Sequence, residues 1–270
     1  MYDKDLTIFS VFHKEYPSPN CSFIKPIQVG KLQSQLELSF LSDDTGDNIS
    51  EKNERFCETT ALYWIWKNLD KIDSQYIGLA HYRRYFTLPE TRTKQKFFGT
   101  KNIEDNSDIY SRPLSDDNIN EIASSITKTY ILEKLAEKQI LLPKASTIGA
   151  LGDHLFNIED QFIYYHLRED WLIFEQTLKK LAPADHEFAK TFFSTRNIMH
   201  CYNMFIANKS FVNAYCTWLF PILFELEKNI KVSPYPYQNR TIGFLSERLL
   251  NLFVYKNLTA IGEMPIVYFT

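Results

Sequence analysis

Glycine is scarce in this sequence, at 8 of 270 residues, and the glycine-rich nucleotide-binding motifs are missing. Neither GxGxxG nor GxxxxGK(S/T) occurs. Both motifs need glycines where the backbone approaches phosphate, so their absence argues against a dinucleotide-binding Rossmann loop and against a P-loop. HExxH and GxSxG are missing as well. The sequence therefore gives no support for a zincin or for the serine nucleophile of an α/β-hydrolase.

Cysteines are few and far apart. The four of them, Cys21, Cys57, Cys201 and Cys216, include no CxxC pair. This spacing excludes a zinc ribbon and a thioredoxin-like redox motif. Scattered cysteines in a chain of this length are typical of a reducing compartment such as the cytosol.

Long runs of one residue class are also missing. The net charge is −3 and lysines and arginines are spread along the chain, so no basic stretch predicts a nucleic-acid partner. No apolar run approaches the roughly 20 residues of a membrane span. Charged residues at positions 3–5 are followed by a predicted strand, which is unlike the apolar core of a signal peptide. We therefore expect a cytoplasmic protein.

Strand-like and helix-like segments alternate along the chain. Strands are predicted at 6–12, 24–29, 76–80, 139–144 and 200–207. The helices are predicted after the loop 42–53 with Ser50 or Asn53 as the cap, and at 117–137, 153–181, 210–227 and 241–255. Residues 87–113 are polar and without a clear pattern, and we expect a long mobile loop there. This alternation predicts an α/β fold with a mixed, mainly parallel sheet, arranged as one domain over 1–270.

Basic side chains follow the apolar strand 76–80. The string His81-Tyr82-Arg83-Arg84 comes directly after it, and ligands bind at the carboxyl ends of strands in open α/β sheets. A guanidinium presents a planar fork of donors that matches phosphate oxygens. Two interpretations stay open for this stretch, a phosphate site and a cluster of arginines paired with acids.

The acidic loop at 43–48 also has several interpretations. Asp44, Asp47 and Asn48 supply oxygen atoms that suit a divalent cation or the hydroxyls of a sugar. A turn that places negative charge before a helix explains them equally. Glu58 begins the following helix and either faces the site or lies on the surface. Glu247 is similarly open, as a general base or as a structural partner of an arginine.

Several segments resemble a bacterial family of capsular and exopolysaccharide biosynthesis proteins. They are 43–50, 57–68 and 76–86, the last of which holds the string His-Tyr-Arg-Arg-Tyr-Phe, together with 202–206 and 243–250. The family is catalogued as domain of unknown function 4422. The resemblance implies a GT-A-like (Rossmann-like) glycosyltransferase that works in capsule, O-antigen or exopolysaccharide assembly. For some members it implies galactosyl or galactofuranosyl transfer from a uridine diphosphate donor.

The sequence departs from the GT-A pattern at one place. Many GT-A enzymes carry Asp-x-Asp where this chain has His81-Tyr82-Arg83, so dependence on Mn²⁺ or Mg²⁺ is left open. Arg83 and Arg84 supply a substitute, because fixed cations stabilise the charge that a leaving diphosphate gains.

The resemblance and the strand ends together give a set of predicted site residues. For the donor they are His13 and Lys14 at the nucleotide, Asp44, Asp47 and Asn48 at the ribose or sugar, and His81, Arg83 and Arg84 at the diphosphate. For the sugar and acceptor they are Asn203 and Arg240, with Glu247 as the candidate base. The expected partners are a nucleotide-diphosphate sugar and a glycan or lipid-linked glycan, the latter bringing the protein to the inner face of the plasma membrane. The alternative function is that of a non-catalytic partner in a polysaccharide biosynthesis complex.

Overall fold

The computed structural model describes residues 2–89 and 109–270. The strands of this part, in chain order, are β1 (Leu6–Phe12), β2 (Ile24–Gln28), β3 (Leu41–Ser42), β4 (Tyr76–His81), β5 (Arg84–Phe86), β6 (Ile109–Arg112), β7 (Ile140–Pro143), β8 (Ser146–Thr147), β9 (Ala150–Leu151), β10 (His154–Leu155), β11 (Ile198–Met199), β12 (Phe205–Asn208), β13 (Ile261–Met264) and β14 (Ile266–Phe269). The helices are α1 (Asn53–Phe56), α2 (Thr59–Lys67), α3 (Asp116–Ser125), α4 (Lys128–Glu137), α5 (Ile158–Tyr165), α6 (Arg168–Leu181), α7 (Pro183–Thr195), α8 (Lys209–Asn229), α9 (Pro236–Asn239) and α10 (Thr241–Asn257).

A twisted mixed sheet forms the centre of the fold, with the strand order β13-β7-β12-β4-β1-β2-β3. Neighbouring pairs are parallel except where β12 runs antiparallel to both β4 and β7. The carboxyl ends of β1, β4 and β7 therefore lie at one rim, together with the amino end of β12. This sheet confirms the predicted mixed, mainly parallel α/β architecture.

A smaller group of strands continues from β4. Residues 82–83 turn the chain into β5, which pairs antiparallel with β14, and β14 pairs in parallel with β6. The backbone N–H of Phe269 donates to the carbonyl of Arg83 at 2.9 Å. The late strand β14 thus holds the turn that follows β4 at the rim.

Helices cover both faces of the sheet. Phe9, Val11 and Leu79 point into the larger core, which is covered by helices that include α2, α8 and α10. Leu6 and Ile8 point to the other side, where they pack with apolar residues of α3 and α4. Because both faces are buried, β1 is apolar at almost every position, as parallel strands of α/β proteins usually are.

Three predicted elements differ in the structure. The helix predicted at 117–137 is divided into α3 and α4, because Thr127 leaves the helical conformation and caps α4 by accepting from the Tyr130 N–H. The helix predicted at 153–181 is divided into β10, α5 and α6, with an extended residue at His166. The strand predicted at 200–207 begins only at Phe205, since the residues before it form a turn.

Two further predictions concern loops and caps. Of the loop predicted at 87–113, residues 90–108 lie outside the described residues, and residues 109–112 are strand β6. The predicted capping of the helix after the acidic loop by Ser50 or Asn53 is wrong. Asn53 is the first residue of α1 and its side-chain amide donates to the Cys57 carbonyl at 2.8 Å.

Candidate active site

Polar side chains from three strands meet at the rim of the sheet. His13 follows β1, His81 is the last residue of β4, and Asn203 lies just before β12. Since β12 is antiparallel to β4, its beginning lies beside the end of β4. Two helices contribute as well, because Glu58 precedes α2 and Glu247 lies in α10. The structure thus brings together residues that are far apart in the sequence.

The two arginines of the turn after β4 are held by aromatic rings. Arg83 lies over Tyr82 at 5.1 Å and over Tyr268 at 5.3 Å, and Arg84 lies over Tyr202 at 4.5 Å and over Tyr268 at 4.8 Å. The Tyr268 ring of β14 therefore contacts both guanidiniums. Such cation–π contacts are worth about 0.5–1 kcal/mol each and leave the N–H groups at the guanidinium edge free to donate.

The charge of these arginines is not neutralised by a close acid of residues 2–89 or 109–270. Within those residues no carboxylate lies within 4.0 Å of either guanidinium, and Arg83 Nε is a buried donor without an acceptor. The structural pair considered for Glu247 is formed with Arg248 instead, at 3.4 Å. The arrangement leaves two fixed cations at the rim that can meet an anionic ligand.

His81 links β4 to the turn before β12. It is buried, and its Nε2 lies 2.6 Å from the Tyr202 carbonyl oxygen, so Nε2 carries the hydrogen and donates it. Burial, followed by the charge of Arg84, lowers the pKa of His81 to about 3. At neutral pH His81 is therefore uncharged, and its positive charge does not add to that of the arginines.

Tyr202 and Asn203 form a strained turn. Their φ angles are +77° and +51°. Residues other than glycine adopt this left-handed backbone conformation at a cost of about 1–2 kcal/mol each. Glu247 Oε1 accepts from the Tyr202 N–H at 3.0 Å. The Asn203 amide donates to Glu58 Oε1 at 2.6 Å and to Ser246 Oγ at 2.7 Å. These bonds to α10 and to the start of α2 hold the strained backbone in place.

Two carboxylates, Glu58 and Glu247, lie in this network. Burial raises the pKa of both groups, and the charge of Glu58 raises the pKa of Glu247 further. Arg240 lies nearby and donates from Nε to Cys57 Sγ at 3.3 Å. Cys57, with φ of +51°, directly precedes Glu58 and marks a sharp turn between α1 and α2.

His13 and Lys14 lie at the surface, where His13 packs partly against an aromatic cluster. The His13 ring meets Tyr82 edge-on at 5.0 Å, and Tyr16 contacts the same tyrosine at 4.6 Å. Partial burial, followed by the charges of Lys14 and Arg240, lowers the pKa of His13 to about 4. A neutral imidazole and two tyrosine rings therefore lie next to the arginines.

The acidic loop is largely occupied with local contacts. Asp44 accepts from Ser42 Oγ at 2.6 Å, and Asn48 is bonded to the backbone within its own loop. Asp47 accepts from the Tyr63 hydroxyl and pairs with Lys67 at 3.1 Å, so both of its partners are residues of α2. Lys67 ends α2, whereas the rim residues surround its beginning, so the structure does not bring Asp47 to the arginines.

Several residues of this site were not assigned from the sequence. Glu58 was left open between a site and a surface position, and the structure places it in the network. Tyr202 and Tyr268 were not singled out at all. The left-handed turn at Tyr202 left no signal except the neighbouring asparagine, and Tyr268 reaches the site only through the pairing of distant strands.

A comparison with protein families finds a match. The sequence profile of a family described as "Domain of unknown function (DUF4422)" matches residues 7–258. The chain belongs to the DUF4422 family. This confirms the resemblance noted from the sequence. A comparison with curated proteins finds no significant match.

A comparison with solved structures finds a similar fold. The DUF4422 chain is similar to the apo structure of the WbbM bifunctional glycosyltransferase, with a TM-score of 0.82 and 31% sequence identity over 98% of the DUF4422 chain. The match covers 45% of that chain, so the DUF4422 chain spans about half the length of the structure it matches. The similarity confirms the predicted fold class.

We next consider whether the residues at the rim of the sheet could bind a divalent cation. In the described part of the chain, no three His, Cys, Asp or Glu side chains group together as metal ligands. Glu58 and Glu247 already accept hydrogen bonds from Asn203 and from the Tyr202 backbone. The described residues of the rim therefore do not fit a divalent cation. Separately, no helix within residues 2–89 and 109–270 is both long and apolar enough to cross a bilayer.

Proposed function

We propose that this chain is a glycosyltransferase that moves a hexosyl unit from a nucleotide-diphosphate sugar to a capsule, O-antigen or exopolysaccharide acceptor. A galactosyl or galactofuranosyl unit is the first choice. The observation that carries the proposal is the pair Arg83 and Arg84, held at the rim without a close carboxylate in the described residues. The similarity to the WbbM bifunctional glycosyltransferase supports the same activity class.

The two guanidiniums supply the electrostatic part of the reaction. When the bond between the sugar and the diphosphate breaks, the electron pair and a full negative charge go to the leaving phosphate oxygen. Cations that are already fixed in place stabilise that charge without reorganising. The shared contact with Tyr268 fixes both arginines before the substrate arrives. His81 acts by holding the Tyr202 carbonyl rather than by adding charge.

The remaining parts of the donor are assigned by position. The rings of Tyr16, Tyr82 and His13 offer a surface on which a nucleobase can stack, with Lys14 beside them. Asp44, at the carboxyl end of β3, is assigned to the ribose. Asp47 and Asn48 are more distant candidates for the donor sugar, because both are engaged in local bonds.

The acceptor side is assigned to the other end of the network. Arg240 lies next to Glu58 and provides donors for sugar hydroxyls. Asn203 is assigned to orient Glu58 beside the acceptor, because its amide N–H groups already donate to Glu58 and Ser246. A lipid-linked glycan acceptor would bring the protein to the inner face of the plasma membrane, with the enzyme itself in the cytoplasm. No step of this mechanism uses a metal ion.

The first experiment identifies the donor by thermal shift. We would screen UDP, UDP-galactose, UDP-galactofuranose, UDP-glucose, UDP-N-acetylglucosamine and GDP-mannose, with and without Mn²⁺. A ligand at about 100 times its Kd should stabilise the protein by about 2.7 kcal/mol, which raises Tm by several degrees. No shift with any of these compounds would overturn the proposal. A shift without hydrolysis or transfer would favour the non-catalytic alternative.

The second experiment tests the arginines in the presence of excess chelator. Each charge-assisted hydrogen bond is worth about 1.5–3 kcal/mol, so Arg83→Ala and Arg84→Ala should each lower kcat/KM by about 10- to 150-fold. Arg168→Ala, at an exposed position of α6, is the matched control and should keep wild-type turnover. Loss of turnover in chelator together with full activity of both site variants would remove the proposed role.

A further inference from the structure

The two carboxylates of the network differ in how many of their oxygens are engaged. Glu247 has both oxygens in use, because Oε1 accepts from the Tyr202 N–H at 3.0 Å and Oε2 lies 3.4 Å from Arg248 Nη1. Arg248 is itself fixed, since it donates to the Phe244 carbonyl at 2.8 Å and to the side chain of Gln161. Glu247 is therefore held as a support of the strained turn.

Glu58 has one partner among the other described residues. Its Oε1 accepts from Asn203 Nδ2 at 2.6 Å, and the carboxyl also accepts from the backbone N–H of Glu58 itself. No other residue of 2–89 or 109–270 donates to Oε2, and Oε2 is not fully buried. One oxygen thus orients the carboxylate while the other stays available.

The position of Glu58 also suits a role in the reaction. It lies at the beginning of α2, between Arg240 and the network of the strained turn, and it is close enough to Arg84 for the two charges to interact. A base must lie near the group that stabilises the leaving diphosphate, since the acceptor oxygen and the leaving oxygen bind the same sugar carbon. Glu58 meets this condition with an oxygen to which no other described residue donates, whereas both oxygens of Glu247 are in use.

We propose that Glu58 is the catalytic base of an inverting transfer and that Glu247 is a positioning residue. The inference rests on the proposed glycosyltransferase function. In the step, Glu58 Oε2 takes the proton of the acceptor hydroxyl as that oxygen forms its bond to the anomeric carbon. The bond from the anomeric carbon to the diphosphate breaks at the same time, and the diphosphate leaves with the electron pair between Arg83 and Arg84.

The charged and titratable groups that face Glu58 come from every element packed against it. They are Cys57, Arg84, Tyr215, Arg240 and Glu247. Burial raises the pKa of the Glu58 carboxyl, while the Asn203 bond and the two arginines oppose that rise. A base whose pKa is moved toward the working pH transfers protons more efficiently than an ordinary carboxylate.

The experiment compares Glu58→Gln with Glu247→Gln and with the control Glu51→Gln. Glu51 is exposed and precedes the same helices. Turnover is measured from pH 4 to 9 with the sugar nucleotide that gives the largest thermal shift. Glu58→Gln should lower kcat by 10²- to 10⁴-fold and abolish the fall of the rate on the acidic side. It should keep the thermal shift given by UDP. Glu247→Gln should lose stability and some turnover but keep the acidic fall, and Glu51→Gln should match the wild type.

Several results would overturn the inference. One is a Glu58→Gln variant that keeps more than a tenth of the wild-type kcat, and another is an acidic fall that persists in that variant. If Glu58→Gln does not fold, Glu58→Asp serves instead, and an acidic fall identical to that of the wild type would count against Glu58. The absence of wild-type turnover with every sugar nucleotide tested is a different result, because it defeats the proposed function itself.

Discussion

The side chain of Asn203 should be worth several kilocalories per mole to the stability of this protein. It makes two short bonds, to Glu58 Oε1 at 2.6 Å and to Ser246 Oγ at 2.7 Å. A hydrogen bond to a charged group contributes about 1.5–3 kcal/mol and one to a neutral group about 0.5–1.5 kcal/mol. Alanine also tolerates the left-handed φ of +51° less well than asparagine does. Asn203→Ala should therefore lower the free energy of unfolding by about 3–5 kcal/mol.

A glycine variant separates the backbone strain from the hydrogen bonds. Asn203→Gly loses the same two bonds but adopts the left-handed conformation without steric cost. It should be about 1 kcal/mol more stable than Asn203→Ala. Urea denaturation at pH 7 and 25 °C measures both variants. A double-mutant cycle with Glu58→Gln then isolates the charged bond, with an expected coupling of about 1.5–3 kcal/mol.

The reasoning about this turn would be refuted by a small effect. If Asn203→Ala costs less than about 1 kcal/mol, the two bonds do not have the strength that their lengths imply. If the alanine and glycine variants are equally stable, the left-handed backbone carries no strain that glycine relieves. A coupling near zero would mean that Asn203 and Glu58 do not act as a pair.

Three further predictions concern pH, packing and the acidic loop. The pKa of His81 is about 3 in the folded state and about 6.5 in the unfolded state, so the folded state binds fewer protons at this residue. The contribution of the neutral His81 ring to the free energy of unfolding is therefore complete above pH 6.5 and is lost as the pH falls toward 3. Between pH 7 and pH 4.5 the free energy of unfolding should therefore fall by about 2–3 kcal/mol less in His81→Asn than in the wild type. Urea titrations at both pH values measure this, and an equal fall in the two proteins would contradict it. Gly78→Ala should lower the free energy of unfolding by about 1–2 kcal/mol, because the added Cβ would lie 3.0 Å from the Phe205 carbonyl oxygen, and a variant as stable as the wild type in urea would disprove the crowding. Asp47→Asn should cost less than about 1 kcal/mol and leave UDP binding by calorimetry unchanged, because Asp47 pairs with α2 at an exposed position; a tenfold weaker Kd would return it to the donor site.

The sequence was most informative where one physical pattern dominated a segment. The strand 6–12 was predicted with its observed bounds, because six of its seven residues are apolar or β-branched and both faces are buried. The prediction failed where apolar residues kept their helical spacing although the chain leaves one helix and starts another. The run 117–137 hides the break before α4, since Ile126 is buried like the helical residues around it. A cap such as Thr127 is recognisable only when its accepted bond is seen.

The candidate site was predictable to the extent that it follows strand ends. Arg83 and Arg84 come directly after a buried strand, and the rule about carboxyl ends placed them at the rim. The role of an acid could not be read in the same way. Asp47 and Glu58 are both acids near α2, and only the tertiary contacts show that one faces Lys67 and the other Asn203.

The pairing of β5 with β14 has a consequence for how this protein is made. Arg84 leaves the ribosome about 180 residues before Tyr268, the partner of both guanidiniums. At elongation rates of about 5–20 residues per second, the nascent chain exposes the outer edge of β5 for roughly 10–40 s. An unpaired strand edge is a template for association with other chains. The arginines therefore gain their shared contact with Tyr268 about 180 residues after they are made, and the β5 edge that β14 covers stays unpaired with β14 until then.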